Sequence, residues 1–325
     1  MMRPSLNNGI CVVIISTKSR LKHLKYALPA LYAQEVMLYA IVLLVVNFEG
    51  INENLPKFVR VLKYHKTECE VIGISRDVSL GMLKNLGSSI CLKLKSEFIA
   101  FLDDDAIPQP NWIKEIRNSL RDRNVDMVRG PCLSIYISKK PLWLSDDLCS
   151  CHDSEAINRA LKDHGRTWKY VFGCNFAFKS ELFRKCGLFG LTGRIGGKPL
   201  SGEEVFFHAS AIRRSSAKLL FNPKLIVHHI ILPHKFRITW ILRAMFYSGL
   251  VRKFLVMEGL LKNGVKKRML FYILRILINT FLSFTCLILL KYPKAFKHIT
   301  YIASDLGFLF LSYSDMIEAI KASRT

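Results

Sequence analysis

The sequence predicts an α/β fold: a mostly parallel sheet flanked by helices, followed by a helical C-terminal region. Three observations lead there. Short apolar runs of strand length alternate with segments of helical periodicity through the first part of the chain, the pattern of βαβ units whose sheet is covered on both faces. One run ends in three consecutive aspartates, Asp103-Asp104-Asp105, a polar cluster of the kind that gathers beyond the carboxyl ends of parallel strands. Beyond residue 240 the chain becomes both basic and strongly apolar.

Cys11–Ile15 reads as a buried strand, and Leu21, Leu24, Leu28 and Leu31 follow at helical spacing. Ala40–Val46 and Glu70–Ile74 are the next two strands. Leu83, Leu86, Ile90 and Leu94 share one face of a helix over Met82–Lys95, and Phe98–Leu102 is the strand that runs into the aspartates. After Pro108 and Pro110 a helix carrying Trp112, Ile113, Ile116 and Leu120 leads to a strand at Asp126–Gly130. Pro131–Trp168 is irregular, Tyr170–Lys179 is a strand, and Leu191–Gly202 is a glycine-rich loop. A helix over Glu203–Arg214 and a strand over Leu219–Val227 complete the pattern. Met269–Leu290 is 22 residues long and nearly all apolar, enough to span a bilayer. Arg275 inside it and basic residues at both ends favour a helix or helical hairpin lying in the headgroup region. A buried core helix is the plain alternative. The boundaries that follow are 1–240 for the α/β domain and 241–325 for the basic, apolar helical region.

Composition narrows the function. Half of the 325 residues are hydrophobic and 22% are charged, so the chain has a core and is not disordered. The nine cysteines are scattered, with no C-x-x-C pair, which fits a reducing compartment. Cys149-Ser150-Cys151-His152 is too compact to wrap a tetrahedral ion and reads as loop. The apolar run Ile10–Ile15 is too short for a signal-peptide core, so the expected location is the cytoplasmic face of a membrane. The 48 Lys and Arg against 25 Asp and Glu give a net charge of +23, which calls for an anionic partner. Lys235–Thr300 holds thirteen Lys and Arg against one acid, Glu258, a net +12 in the most apolar part of the chain. Phe246, Tyr247 and Phe254 sit there among aliphatic residues rather than forming a stacking platform. An anionic membrane surface is therefore expected, and nucleic acid is not.

The aspartate triplet carries the chemistry. Three carboxylates in a row repel one another unless a cation compensates them. Side chains alternate along an extended backbone, so Asp103 and Asp105 point the same way and can share one hard cation such as Mg2+ or Mn2+. An acidic turn or a cap for the helix near Asn111 is the alternative.

The motifs, taken in order, resemble those of the family 2 glycosyltransferases. Val13-Ile14-Ile15-Ser16-Thr17-Lys18-Ser19-Arg20 resembles their opening V-V-I-P-T-Y-N-R strand and loop, and Lys84-Asn85-Leu86-Gly87 their R-N-x-G helix motif. Phe101-Leu102-Asp103-Asp104-Asp105 with Pro108 and Trp112 is similar to F-L-D-D-D…P…W, and Gly173–Phe178 to G-x-N-x-A-F. Gly202-Glu203-Glu204 resembles the acidic G-E-D or G-E-E motif, and Val227-His228-His229 the V-x-H that follows.

The resemblance implies a GT-A fold, a nucleotide-diphosphate sugar donor, Mn2+ or Mg2+, and inversion at the anomeric carbon. It implies Asp105 as direct metal ligand and Asp103 on the ribose or also on the metal, with Asp104 assisting either. Thr17, Arg20, Asn47 and Lys84 fall at donor-binding positions. His228 or His229 would reach the metal or diphosphate, and Asn175 and Trp168 would line the acceptor pocket. Glu204 matches the position of the general base, with Glu203 a close second. Asn47 replaces the usual Asp that accepts from the base's ring N–H, which leaves the nucleotide open. No Q-x-x-R-W motif is present, so one sugar is expected per encounter. A glycan or lipid-linked acceptor suits the membrane reading. A non-catalytic scaffold of the same fold is a rival, given the variant residues Asn47, Lys84 and Glu204. A sugar nucleotidyltransferase would need a glycine-rich loop after the first strand, and Ser16–Arg20 has no glycine.

Overall fold

The computed structural model describes residues 9–47, 68–74, 78–144, 173–190, 194–195, 198–199, 202–260 and 265–310. Trp168, the Cys149–His152 cluster and most of the glycine-rich loop lie outside the described residues.

In chain order the elements are β1 (Ile10–Thr17), α1 (Leu24–Tyr32, entered through a 3₁₀ turn), β2 (Ala40–Val46), β3 (Glu68–Ile74), α2 (Leu80–Lys93), β4 (Phe98–Asp103), β5 (Ala106–Pro108), α3 (Trp112–Arg121), β6 (Met127–Arg129) and β7 (Cys132–Tyr136). There follow β8 (Phe176–Lys179), α4 (Ser180–Cys186), the short pair β9 (Arg194–Ile195) and β10 (Lys198–Pro199), α5 (Glu203–Ser215), β11 (Leu219–Phe221) and β12 (Val227–Ile231). Three helices close the described chain: α6 (Ile238–Met257), α7 (Val265–Ile288) and α8 (Tyr292–Phe310).

Seven strands form the main sheet in the order β11-β6-β8-β4-β1-β2-β3, all parallel except β8. The central strands are apolar throughout because both faces are covered. Ile10, Val12 and Ile14 of β1 pack with Leu24, Leu28, Trp112 and Ile116 on one side. Cys11 and Val13 pack with Leu83, Phe101, Phe176 and Phe207 on the other. Ser79 caps α2, its hydroxyl accepting from the Met82 amide at 3.3 Å. The K-N-x-G motif then has a structural reading. A Cβ on Gly87 would lie 2.5 Å from Val13 Cγ1, so the glycine lets α2 lie close on β1, while the Asn85 amide brackets the backbone of Phe189.

The sequence pattern joins Leu219–Val227 into one strand, but the structure divides it. β11 extends the main sheet, whereas β12 joins a second, three-stranded sheet ordered β5-β12-β7. Asn222-Pro223 breaks the run, since proline offers no donor to a ladder. Part of the expected irregular stretch after Pro131 is also strand, β7, pairing in parallel with β12.

α6 packs on α5 through Leu250, Val251, Phe254 and Leu255 against Phe206 and Ala209. α7 is turned inside out relative to a soluble helix. Leu270, Leu274, Leu277, Phe281, Phe284 and Ile288 are spaced four and three residues apart and all are more than half exposed, a single outward apolar stripe. Its polar Asn279 and Ser283 are buried instead. Arg275 forms a two-point pair with the fully buried Asp305 of α8, Nε donating to Oδ2 at 2.7 Å and Nη2 to Oδ1. Met269–Ile288 is, among the described residues, the one segment long and apolar enough to cross a membrane.

Candidate active site

The carboxyl ends of β1 and β4 meet because Ile15 pairs with Asp103 across the sheet. β12 delivers the histidines from the second sheet: His229 pairs with Ala106, and the Ile230 amide donates to Asp105 O at 3.0 Å. This register brings ligand atoms of Asp103, Asp105 and His229 within 4.8 Å of one another. Adjacent strand residues face opposite sides, so the register ambiguity resolves toward His229, and His228 lies outside that group.

The three aspartates are not equivalent. The Asp103 side chain is 48% exposed, whereas those of Asp104 and Asp105 are buried. Asp104 is tied inward: Ser16 Oγ donates to Oδ2 at 2.6 Å, and Arg20 donates through Nε to Oδ2 at 3.1 Å and through Nη2 to Oδ1 at 2.5 Å. Arg20 Nη2 also donates to Asp105 Oδ2 at 2.8 Å, and Lys235 Nζ stands 3.9 Å from that oxygen. Asp105 Oδ1 has His229 Nε2 3.1 Å away, but this buried oxygen has no hydrogen-bond donor aligned on it. Burial alone would raise the Asp105 pKa; His229, Lys235 and Arg20 outweigh it and hold the carboxyl well below the ordinary range. Burial likewise pulls the Arg20 guanidinium down, and Asp104 and Asp105 more than reverse that.

Arg20 and Lys235, with His229, surround the triplet. Asp104 anchors Arg20, and with His23 and Asp105 it forms a second group whose ligand atoms lie within 4.8 Å of one another. The site nonetheless fits a divalent cation. Two carboxylates and an imidazole are a suitable donor set for Mg2+ or Mn2+, and Asp105 Oδ1 is a buried acceptor left for one.

A second acidic pair sits at the start of α5, where Gly202, at φ +105°, turns the chain in a conformation natural to glycine. Glu203 and Glu204 line a cavity of about 200 Å³ with Asp103, Lys84, Gly173, Leu80 and Phe101. Lys84, expected on the donor, is instead buried against the glutamates, 2.7 Å from Glu203 Oε1 and 3.5 Å from Glu204 Oε2. Burial would lower its pKa, but the two carboxylates raise it. Burial also opposes ionisation of both glutamates. Lys84 overcomes this at Glu203 and holds it low, whereas Glu204, burdened by Glu203's charge as well, is pushed up.

Asn175 is likewise engaged with the fold. It is 1% exposed, accepts from Trp112 Nε1 at 2.9 Å, and donates to the carbonyls of Pro131 and Leu225 at 2.7 and 2.8 Å. Its polar atoms staple β8 to α3 and to the neighbouring loops. Thr17 ends β1 with its hydroxyl 3.1 Å from Ser19 Oγ, and Asn47 follows β2 at φ +58° with its side chain exposed. Ser16 and Lys235 are the site residues that sequence reasoning missed. The signal for Ser16 was its place in the first loop, while Lys235 was counted with the basic tail.

Several known proteins are similar to this chain. The curated Glucosyl-dolichyl phosphate glucuronosyltransferase of Haloferax volcanii is 24% identical over 159 residues, 47% of this chain and 49% of its own. The Pre-mycofactocin glycosyltransferase of Mycobacterium tuberculosis is 27% identical over 167 residues, 51% of this chain and 33% of its own. The chain thus spans half or less of the length of these relatives. Among solved structures, S. aureus TarS has a TM-score of 0.47 at 13% identity, over 74% of this chain and 40% of that one. GalNAc-T7 with UDP, GalNAc and Mn2+ gives 0.47 at 17%, over 74% and 48%. The sequence model described as Glycosyl transferase family 2 matches residues 13–187, more than half of the chain, and the protein belongs to that family.

Proposed function

We propose that this chain moves a sugar from a nucleotide-diphosphate donor to an acceptor hydroxyl, with inversion at the anomeric carbon and one sugar per encounter. The observation that carries the reading is the convergence of Asp103, Asp105 and His229 within 4.8 Å beside a cavity walled by Glu203 and Glu204. Asp103, Asp105 and His229 would hold Mn2+ or Mg2+, which when bound supplies Lewis-acid stabilisation of the departing diphosphate. Arg20 fixes the orientation of Asp105, while Thr17 and Asn47 flank the donor at the ends of β1 and β2. Glu204 takes the acceptor's proton, the role for which a carboxyl raised toward neutral pH is suited.

The acceptor in this reading is lipid-linked or part of a surface glycan, and the protein works on the cytoplasmic face of a membrane. The Haloferax volcanii relative bears the name of an enzyme for a dolichyl phosphate-linked sugar. The outward apolar stripe of α7 is what an interfacial helix presents to lipid. Its basic surroundings add about 1 kcal/mol for each Lys or Arg near anionic headgroups. Residues 241–325 form the membrane-associated region and residues 1–240 the catalytic domain.

Thermal unfolding in Mn2+ with a panel of nucleotide sugars tests the enzyme reading. At least one donor is expected to stabilise the protein by mass action and to lose that effect in Asp105→Ala. A panel without any such donor counts against it. Membrane fractionation of a Leu277→Asp/Phe281→Asp/Phe284→Asp variant is expected to release a folded protein, and full retention on the membrane would refute the anchor.

A further inference from the structure

Lys84 is the one cation, among the described residues, that bonds to the glutamate pair, and it does not treat its two partners alike. Glu203 is fully engaged: Oε1 accepts from Lys84 Nζ at 2.7 Å, and Oε2 accepts from the Gly202 amide at 3.0 Å. Its side chain is 2% exposed, against 18% for Glu204, which Lys84 reaches only at 3.5 Å. The ammonium cannot migrate toward Glu204 freely. It stands 5.6 to 5.9 Å from the ring centroids of Phe101, Phe176 and Phe189, a cage whose faces favour a cation. Gly173 completes the wall, where a Cβ would lie 3.2 Å from Lys84 Nζ and 3.6 Å from Glu204 Cδ.

We propose that Lys84 is a positioning residue that divides labour between two adjacent glutamates, fixing Glu203 as a permanent anion and leaving Glu204 to accept the acceptor's proton. This rests on the preceding assignment of Glu204 as base. The physical reason is charge balance in an apolar wall. One buried cation can neutralise one buried carboxylate, and a second anion beside them costs desolvation energy that no other cation among the described residues repays. At rest the proton therefore favours the glutamate farther from Lys84, and that glutamate becomes the base when it ionises. The other titratable groups around Glu204 are Asp103 at the end of β4 and, on its own helix, His208, whose ring is held neutral by burial. In the reaction Glu204 acts in its ionised form, which it gains as pH rises through its raised pKa: the acceptor oxygen bonds to the anomeric carbon and its proton passes to that carboxylate. The bond from that carbon to the diphosphate breaks, its electron pair leaving with the diphosphate.

The test compares Lys84→Met, Lys84→Arg, Glu203→Gln and Glu204→Gln in the full chain, with two readouts. Infrared titration of protonated carboxyls needs no substrate. Wild type is expected to show a carboxyl protonated at neutral pH that disappears in Glu204→Gln, because Glu203 keeps its cation, and to show more protonated carboxyl in Lys84→Met. The pH profile of transfer is the second readout. Glu204→Gln is expected to lose about 100-fold or more, while Glu203→Gln costs far less and moves the acidic limb to lower pH, since Glu204 then inherits Lys84. Lys84→Met moves that limb upward, and Lys84→Arg brings it back. If Lys84→Met fails to fold, the arginine and glutamine variants still decide. An equal loss in Glu203→Gln and Glu204→Gln, or no protonated carboxyl in wild type at neutral pH, would overturn the proposal. An infrared pattern as expected with no donor turned over would leave the charge division standing and bring down the transferase reading.

Discussion

The molecule contains two runs of adjacent carboxylates and solves their repulsion in opposite ways. Around Asp103, Asp104 and Asp105 the protein gathers Arg20, Lys235 and His229. Asp105 is held as an anion, yet one of its oxygens is left without an aligned donor. Around Glu203 and Glu204 Lys84 is the one cation bonded to the pair among the described residues, so one carboxyl favours keeping its proton. Arg20 and Lys235, with His229, keep Asp105 ionised and available to an incoming ion. A single lysine between two glutamates leaves one of them able to exchange a proton. The difference lies in the basic groups gathered around the acids, not in the acids themselves.

The comparison predicts opposite responses to pH. Asp105 has a lowered pKa, so its contribution to stability is present above the ordinary aspartate range and is lost as pH falls through the folded-state value. Glu204 has a raised pKa, so the stability linked to its proton is present below the ordinary glutamate range and is lost as pH rises through the folded-state value. The largest effect is expected from Asp105→Asn: transfer falls by about 10³-fold or more, stabilisation by Mn2+ disappears, and the loss of stability on the acid side shrinks. Glu204→Gln acts at the other end, flattening the decline of melting temperature with rising pH while leaving Mn2+ binding intact. Melting curves of both variants across pH, with and without Mn2+, check this. If both flatten the same limb, the two clusters do not differ as described.

Much of this arrangement was legible in the sequence. Ala40–Val46 was bounded correctly because a continuous apolar run between polar residues leaves a strand buried on both faces little latitude. Alternation along an extended chain predicts a shared direction for Asp103 and Asp105. However, β4 ends at Asp103 and a turn follows, so it is the turn and the pairing with β12 that bring the two near His229. What the sequence could not display was pairing at a distance. Asp104 owes its role to Ser16 and Arg20, which precede it by 88 and 84 residues, and Lys84 meets Glu203 across 119. Motif order singles out Lys84 and Asn175, and the structure shows the fold contacts each makes, with Glu203 and with Trp112; a motif records that a residue is required and not whether fold or chemistry requires it. Lys235 was hidden by its company: in a stretch with thirteen basic residues, charge alone does not single out the one that turns back toward Asp105.

The smallest effect is also the sharpest test of the first cluster. Ser16 is 2% exposed, and its hydroxyl touches none of Asp103, Asp105 and His229; it donates to Asp104, which holds Arg20, which holds Asp105. Loss of an outer hydrogen bond of this kind costs about 10-fold in metal affinity, the low end of the usual range, because Asp104 keeps both contacts from Arg20. Ser16→Ala is therefore expected to weaken Mn2+ binding by calorimetry about that much without changing the fold. Ser88 supplies the control. It is equally buried, and its hydroxyl has no hydrogen-bond partner, so Ser88→Ala should bind Mn2+ as the wild type does. Equal Mn2+ affinity in Ser16→Ala and Ser88→Ala would mean that Asp105 is held by Lys235 and His229 without help from Asp104, and that the relay from Ser16 through Arg20 serves the fold alone.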